Sequence, residues 1–183
     1  NLLVRDPKRG SRFENIVYVG AEWNLAVELC SPEFKQEVEK LGLRFLICNN
    51  YQKWHDYSQI DAILAVRSFE NRDAYLYKPA TKLHNAWRAS VPAILGTDSA
   101  FRQERRSVLD YIEVDSPQET LQVLKKLRDE PKLRAEMIAN GLLRAEEVSS
   151  ESICARWVEV IKSVVVPAYL ACAEVPLPKQ IPS

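Results

Sequence analysis

Five short apolar runs, set among stretches of helical periodicity, constrain this chain more than anything else in it. Residues 15–19 (Asn15-Ile16-Val17-Tyr18-Val19), 43–48, 62–66, 91–95 and 109–114 have the length and the β-branched content of strands. Helical patterns fall between or after most of them. Alternation of this kind predicts an α/β, Rossmann-like domain: a parallel sheet of five or more strands, helices on both faces, and a helical C-terminus. A length of 183 residues is enough for one such domain and too short for two.

The punctuation between the runs supports that reading. Ser31-Pro32-Glu33 opens a helix with a capping hydroxyl, a proline in the first turn and an acid at the positive dipole end. Gly42 closes it. Ala21 to Leu29 is expected to make a short amphipathic turn through Trp23, Leu25, Ala26 and Leu29. Asp98 is a plausible cap for a short helix after Gly96. Ser116-Pro117-Gln118-Glu119 reads as a capping box. Glu130-Pro131 restarts a helix in which Gly141 is a weak point. Ser149 or Ser150 caps the last helix, where Ile153, Trp157, Val160, Ile161 and Val164 recur at helical spacing.

Residues 1–14 are polar and basic and read as a linker, or as the end of a preceding region, and not as core. Residues 15–166 make the domain, and 167–183 a proline-rich tail. The chain opens at Asn1 and not at Met, so a piece of a longer protein is expected.

Twenty-five basic and 25 acidic residues balance, which speaks against nucleic acid as a partner, because that needs a basic surface. The clusters Lys8 to Arg12 and Arg102 to Arg106 read as solvated faces. Cys30, Cys48, Cys154 and Cys172 are widely spaced, without a C-x-x-C and without histidines at ligand spacing. Neither a metal site nor a disulfide scaffold is expected, and reduced thiols suit a cytoplasmic protein. No run reaches the roughly 18 apolar residues of a membrane span, so any membrane association would be peripheral. No G-x-S-x-G supports a hydrolase and no G-x-G-x-x-G a dinucleotide dehydrogenase.

The stretch Tyr77 to Gly96 carries most of the chemistry. Pro79 suits the first turn of a helix whose apolar face is Leu83, Ala86, Trp87 and Ala89. Pro92 stops it ahead of a buried strand. A helix start in this position faces the carboxyl ends of the strands, where open α/β sheets bind ligands. Its free N–H groups attract phosphate, and Lys78 and Lys82 add charge beside them. Arg67, at the end of the third strand, falls on the same edge and can pair bidentately with a phosphate. Gly20, at the end of the first strand, either admits a ligand close to the backbone or simply makes a turn. Trp54 and His55 lie in a loop after the second strand, where aromatics either stack on a base or ribose or cap the edge of the core.

Lys78-Pro79-Ala80-Thr81-Lys82-Leu83 followed by Asn85-Ala86-Trp87-Arg88-Ala89-Ser90-Val91-Pro92 resembles the donor-binding helix of two-domain (GT-B) glycosyltransferases. That family carries "(S/P)-x-K-L-x-E-(A/Y)-x-A-x-G-x-P" there, with the helix N-terminus against the diphosphate of a nucleotide sugar. The likeness extends from about 15 to about 160 in the order of elements. It implies a donor-binding, C-terminal half, with a separate N-terminal acceptor-binding domain as partner. It implies a nucleoside diphosphate sugar as donor substrate and no further cofactor or metal. The nucleotide-sugar contacts it implies are Gly20, Arg67, Lys78, the backbone of Ala80, Thr81, Lys82 and Leu83, and Asn85. Two departures stand out. The paired glutamates that many retaining members carry across this helix are Tyr77 and Asn85 here, and the glycine before x-P is Ser90. Retaining or inverting chemistry, and the catalytic residues, are therefore unassigned. A non-catalytic module of the same fold, binding a ligand or a protein partner, is the second reading.

Overall fold

The computed structural model describes residues 2–70 and 77–173. The expected connection from Phe69 to Leu76 and the tail beyond 173 lie wholly or mostly outside the described residues. Two compact units are present, Asn1–Ala145 and Glu146–Ser183.

In the first unit, β1 (Asn15–Val19), β2 (Arg44–Cys48), β3 (Ala62–Ala65), β4 (Ala93–Leu95) and β5 (Ile112–Glu113) form one sheet in the order β2-β1-β3-β4-β5. Every pairing is parallel, with Asn15 opposite Arg44, Ile16 opposite Ala62, Ile63 opposite Ala93 and Ile94 opposite Ile112. The helices α1 (Val27–Cys30), α2 (Pro32–Lys40), α3 (Thr81–Arg88), α4 (Ser99–Glu104), α5 (Pro117–Asp129) and α6 (Pro131–Glu147) surround it. β1, β3 and β4 are buried at every position, the continuous apolar pattern of strands covered on both sides. The chain leaves β1 for β2 on one side and returns across it to β3 on the other. A crevice therefore opens between the carboxyl ends of β1 and β3.

Local chemistry fixes the helix ends. The Ser31 hydroxyl accepts the Phe34 N–H at 3.1 Å, and the Ser116 hydroxyl accepts the Glu119 N–H at 3.2 Å. Gly42, with φ 72°, closes α2 through bonds from its own N–H to Glu39 and from Leu43 N–H to Val38, the pattern of a Schellman motif. α3 ends in the same way, with Ser90 N–H on Trp87 and Val91 N–H on Ala86. The left-handed residue there is Ser90, φ 59°.

Several sequence expectations are corrected. Pro79 lies outside the first turn: α3 starts at Thr81, and Ala80 is its N-cap. β4 starts at Ala93, because Pro92 has no N–H for the ladder. Of the residues expected to pack after β1, Leu25, Ala26 and Leu29 are buried while Trp23 is 82% exposed. Gly141 is no weak point in α6. A Cβ there would stand 3.0 Å from Trp87 Cδ1, so the missing side chain lets α6 approach α3. Arg144 stacks over the same indole, whose N–H donates to Asp110 O at 2.9 Å. Nor is Arg102 to Arg106 simply a solvated face, since Arg102 grips Glu113 with two bonds of 2.7 and 2.9 Å.

Residues 3–14 are docked on the domain and are not detached from it. Arg9 and Phe13 are buried, and Asp61, just before β3, is the reason. Its fully buried carboxylate accepts Arg9 Nη2 at 2.6 Å, Arg5 Nη2 at 2.9 Å and the N–H groups of Glu14 and Asn15 at 2.9 Å. Burial raises the pKa of this carboxyl. The bonds from Arg9, Asn15, Glu14 and Arg5 outweigh burial and hold it below the ordinary carboxylate range.

The second unit is helical. α7 (Ser150–Val160), capped by the Ser149 hydroxyl on Ser152 N–H at 3.1 Å, runs through a π-helical stretch at Ile161–Val165 into α8 (Val166–Ala173). The apolar residues that recur at helical spacing along it are exposed, Trp157 by 63% and Val164 by 59%. No helix among the described residues is long and apolar enough to cross a membrane.

Candidate anion-binding site

Each strand of the sheet delivers one loop to the carboxyl edge, and three of these loops meet α3 there. β1 ends in Gly20, β2 leads to the loop with Trp54, and β3 runs out through Val66 to Arg67. A cavity of about 180 Å³ lies among them, lined by Tyr18, Gly20, Ala21, Asn24, Trp54, Arg67, Lys78 and Lys82. Four residues singled out in the sequence thus line one cavity: Gly20, Arg67, Lys78 and Lys82. It sits at the crevice that the strand order creates.

Lys82 belongs to the first turn of α3. Its ammonium donates to Val19 O at 2.8 Å and lies 4.9 Å from the centre of the Tyr18 ring. It is therefore not the solvated surface lysine common at helix starts. Burial, and then the charges of Arg67 and Lys78, push its pKa down to about 8, with Asp98 opposing them. Gly20 is forced by this packing. Its φ is 152°, and a Cβ would fall 2.8 Å from Lys82 Nζ and 3.0 Å from the Tyr18 hydroxyl oxygen. A close approach to the backbone does occur at Gly20, and the Lys82 ammonium makes it.

Arg67 is half-buried and faces Asp98, Nη1 to Oδ1 3.5 Å. Burial raises the Asp98 pKa, partly offset by Arg67 and Lys82. The start of α3 has no side-chain cap. Leu83 N–H bonds to Ala80 O at 2.9 Å, so its backbone is used inside the helix and its side chain lies in the core. Thr81 and Lys82 N–H have no acceptor among the described residues. Ala80 is buried and Thr81 exposed. Asn85 stands apart from the cavity. Its side chain neighbours Tyr57, whose pKa burial pushes up to about 12 with Asn85 opposing. The indole N–H of Trp54 donates to Cys48 O at 2.9 Å, and the residue borders the cavity.

Sequence reasoning missed Tyr18, Ala21, Asn24 and Asp98. A simple rule reaches them, because each lies at or within a few residues beyond the end of a strand. The resulting arrangement brings three cationic side chains and two aromatic residues, Tyr18 and Trp54, to one small cavity. It can hold a phosphate-bearing ligand by charge and hydrogen bonds.

No protein-family model matches the chain, and no curated protein does. Among solved structures, its fold is similar to that in the crystal structure of TarM, a glycosyltransferase, with a TM-score of 0.60 at 11% identity. The superposition takes in 89% of this chain and 38% of the TarM chain, so this chain spans well under half of TarM's length. An identity that low speaks to architecture alone, and the chain is described on that basis as having a glycosyltransferase-like α/β fold.

Proposed function

We propose that this chain is the donor-binding part of a glycosyltransferase, holding a nucleoside diphosphate sugar whose sugar is moved to an acceptor hydroxyl. The carrying observation is that Gly20, Arg67, Lys78 and Lys82, distant in sequence, line one cavity at the sheet's carboxyl edge. Leaving-group charge on a diphosphate would be stabilised there by the α3 N-terminus and the basic side chains, fixed in place before the reaction. The acceptor and any general base would come from a separate N-terminal domain, so the chain alone binds a donor without transferring it.

Titration calorimetry with uridine and guanosine diphosphate tests the reading. Lys82→Ala should weaken binding about tenfold, the effect of losing roughly 1–2 kcal/mol of charge-assisted hydrogen bonding. Lys132→Ala, on the exposed face of α6, should not. Equal affinities for parent and Lys82→Ala remove Lys82 from the site. A non-catalytic module of the same fold is favoured by one observation, the position of Asn85 beside Tyr57 and outside the cavity lining, where many retaining relatives of the resembled family carry a carboxylate. Absence of nucleotide binding by the parent decides for that module.

A further inference from the structure

β4 leaves the sheet through Gly96 and Thr97 to Asp98, which stands at the N-cap position of α4. Asp98 does not cap. Its side chain accepts no N–H from the first turn of α4, forgoing a contact that stabilises other helices. The carboxylate is turned to Arg67 instead, at 3.5 Å, longer than the roughly 2.7–2.9 Å of a well-formed charge-assisted bond. It is 8% exposed. A carboxylate so buried, with so loose a contact, is unfavourable unless nearby charge compensates it. The charge here is that of Arg67 and Lys82, two of the groups assigned above to the donor's phosphates.

We propose that Asp98 is an internal counter-anion for this site: it neutralises Arg67 and Lys82 while the cavity is empty and yields them to an arriving diphosphate. The proposal rests on the donor-site reading and goes beyond it by assigning how tightly the site holds. Asp98 does not line the cavity, so it acts through Arg67 as a positioning residue. Its charge opposes the mutual repulsion of Arg67 and Lys82. With it, the site stays assembled before the ligand arrives, and its negative charge near the bound phosphates speeds their release. The looseness of the Arg67 contact suits a partner that must be exchanged.

Uridine diphosphate and inorganic pyrophosphate are titrated at pH 7 into the parent, Asp98→Asn and Asp98→Ser, with a thermal melt of each. Serine removes the charge and supplies a good N-cap to α4. Both variants should bind about five- to tenfold more tightly than the parent, the size of one partly screened charge contact. Their dissociation should slow to match, and neither change would follow from a merely structural role. Equal or weaker binding by the variants, with the parent binding, overturns the counter-anion role and leaves the donor site standing. If the parent binds neither probe and a variant gains binding, the counter-anion role stands and the donor reading falls. Silence from all three overturns both. If the serine variant as well as the asparagine variant loses its melting transition, Asp98 is a folding residue and the proposal falls.

Discussion

The ammonium of Lys82 lies 2.8 Å from the carbonyl oxygen of Val19, so one side chain of α3 closes over the last residue of β1. A helix and a strand 63 residues apart in sequence are joined by a cation, at the point where a phosphate would arrive. The groups facing that cation are Tyr18 from β1, Arg67 beyond β3, Lys78 on its own segment and Asp98 beyond β4.

Lys82 should make stability depend on pH, and diphosphate affinity in the opposite direction. Its folded pKa, about 8, is below the ordinary 10.5. Between those values the unfolded chain keeps a proton that the native state has released, so stability rises with pH across that window. Below pH 8 the cost of the buried charge is fully present. Lys82→Met keeps the aliphatic stem and should abolish this rise, as read from urea unfolding of parent and variant at pH 7 and pH 9.5. Diphosphate affinity should be highest below pH 8 and fall as Lys82 deprotonates above it, and calorimetry at the same two pH values reads that fall.

Gly20→Ala should damage the cavity and the fold together. The new methyl meets Lys82 Nζ at 2.8 Å on a backbone with φ 152°, which costs on the order of 1–3 kcal/mol. The ammonium can swing away only by giving up Val19. A lower melting temperature accompanied by weakened diphosphate binding is the expected result, and unchanged binding would show that the placement of Lys82 is unimportant.

Ser90→Gly should stabilise the protein. Ser90 occupies the left-handed position that ends α3, and glycine relieves a strain of about 1 kcal/mol there. Denaturant unfolding should show a higher midpoint with an unchanged slope. Because Ser90 lies at the far end of α3 from Lys82, nucleotide affinity should stay as it was.

Asp61→Asn should cost about 3–5 kcal/mol, because it leaves Arg5 and Arg9 packed against a neutral partner. In the parent, the Asp61 pKa lies below its unfolded value. Its contribution is therefore complete above the ordinary carboxylate pKa and is lost as pH falls through the folded one. Acid unfolding of the parent followed by near-ultraviolet circular dichroism should show that loss, and the variant should lack it.

The strands and their parallel sense were legible because short β-branched runs bounded by glycine and proline leave little else possible. Their order was not, since nothing in Ile16 or Val17 states that β1 lies between β2 and β3. Gly20, Arg67 and Lys82 could be picked out by position at strand and helix ends. The burial of Lys82 could not, because it depends on Val19 and Tyr18. Asp98 read as a cap because aspartate before a helix usually is one. Only the fold shows Arg67 beside it. Arg9 and Phe13 read as linker for the same reason, since the carboxylate that fixes Arg9 is 52 residues away.

Strand β3 is four residues long, with Asp61 immediately before it and Arg67 two residues past its end. At about 3.3 Å per residue the two charges stand roughly 20 Å apart, so that distance alone leaves their mutual interaction weak. What secures the fold and what would hold a ligand thus sit at opposite ends of a single apolar strand. Substituting Arg67 or Lys78 at one end therefore leaves the contacts of Asp61 with Arg5 and Arg9 at the other end in place.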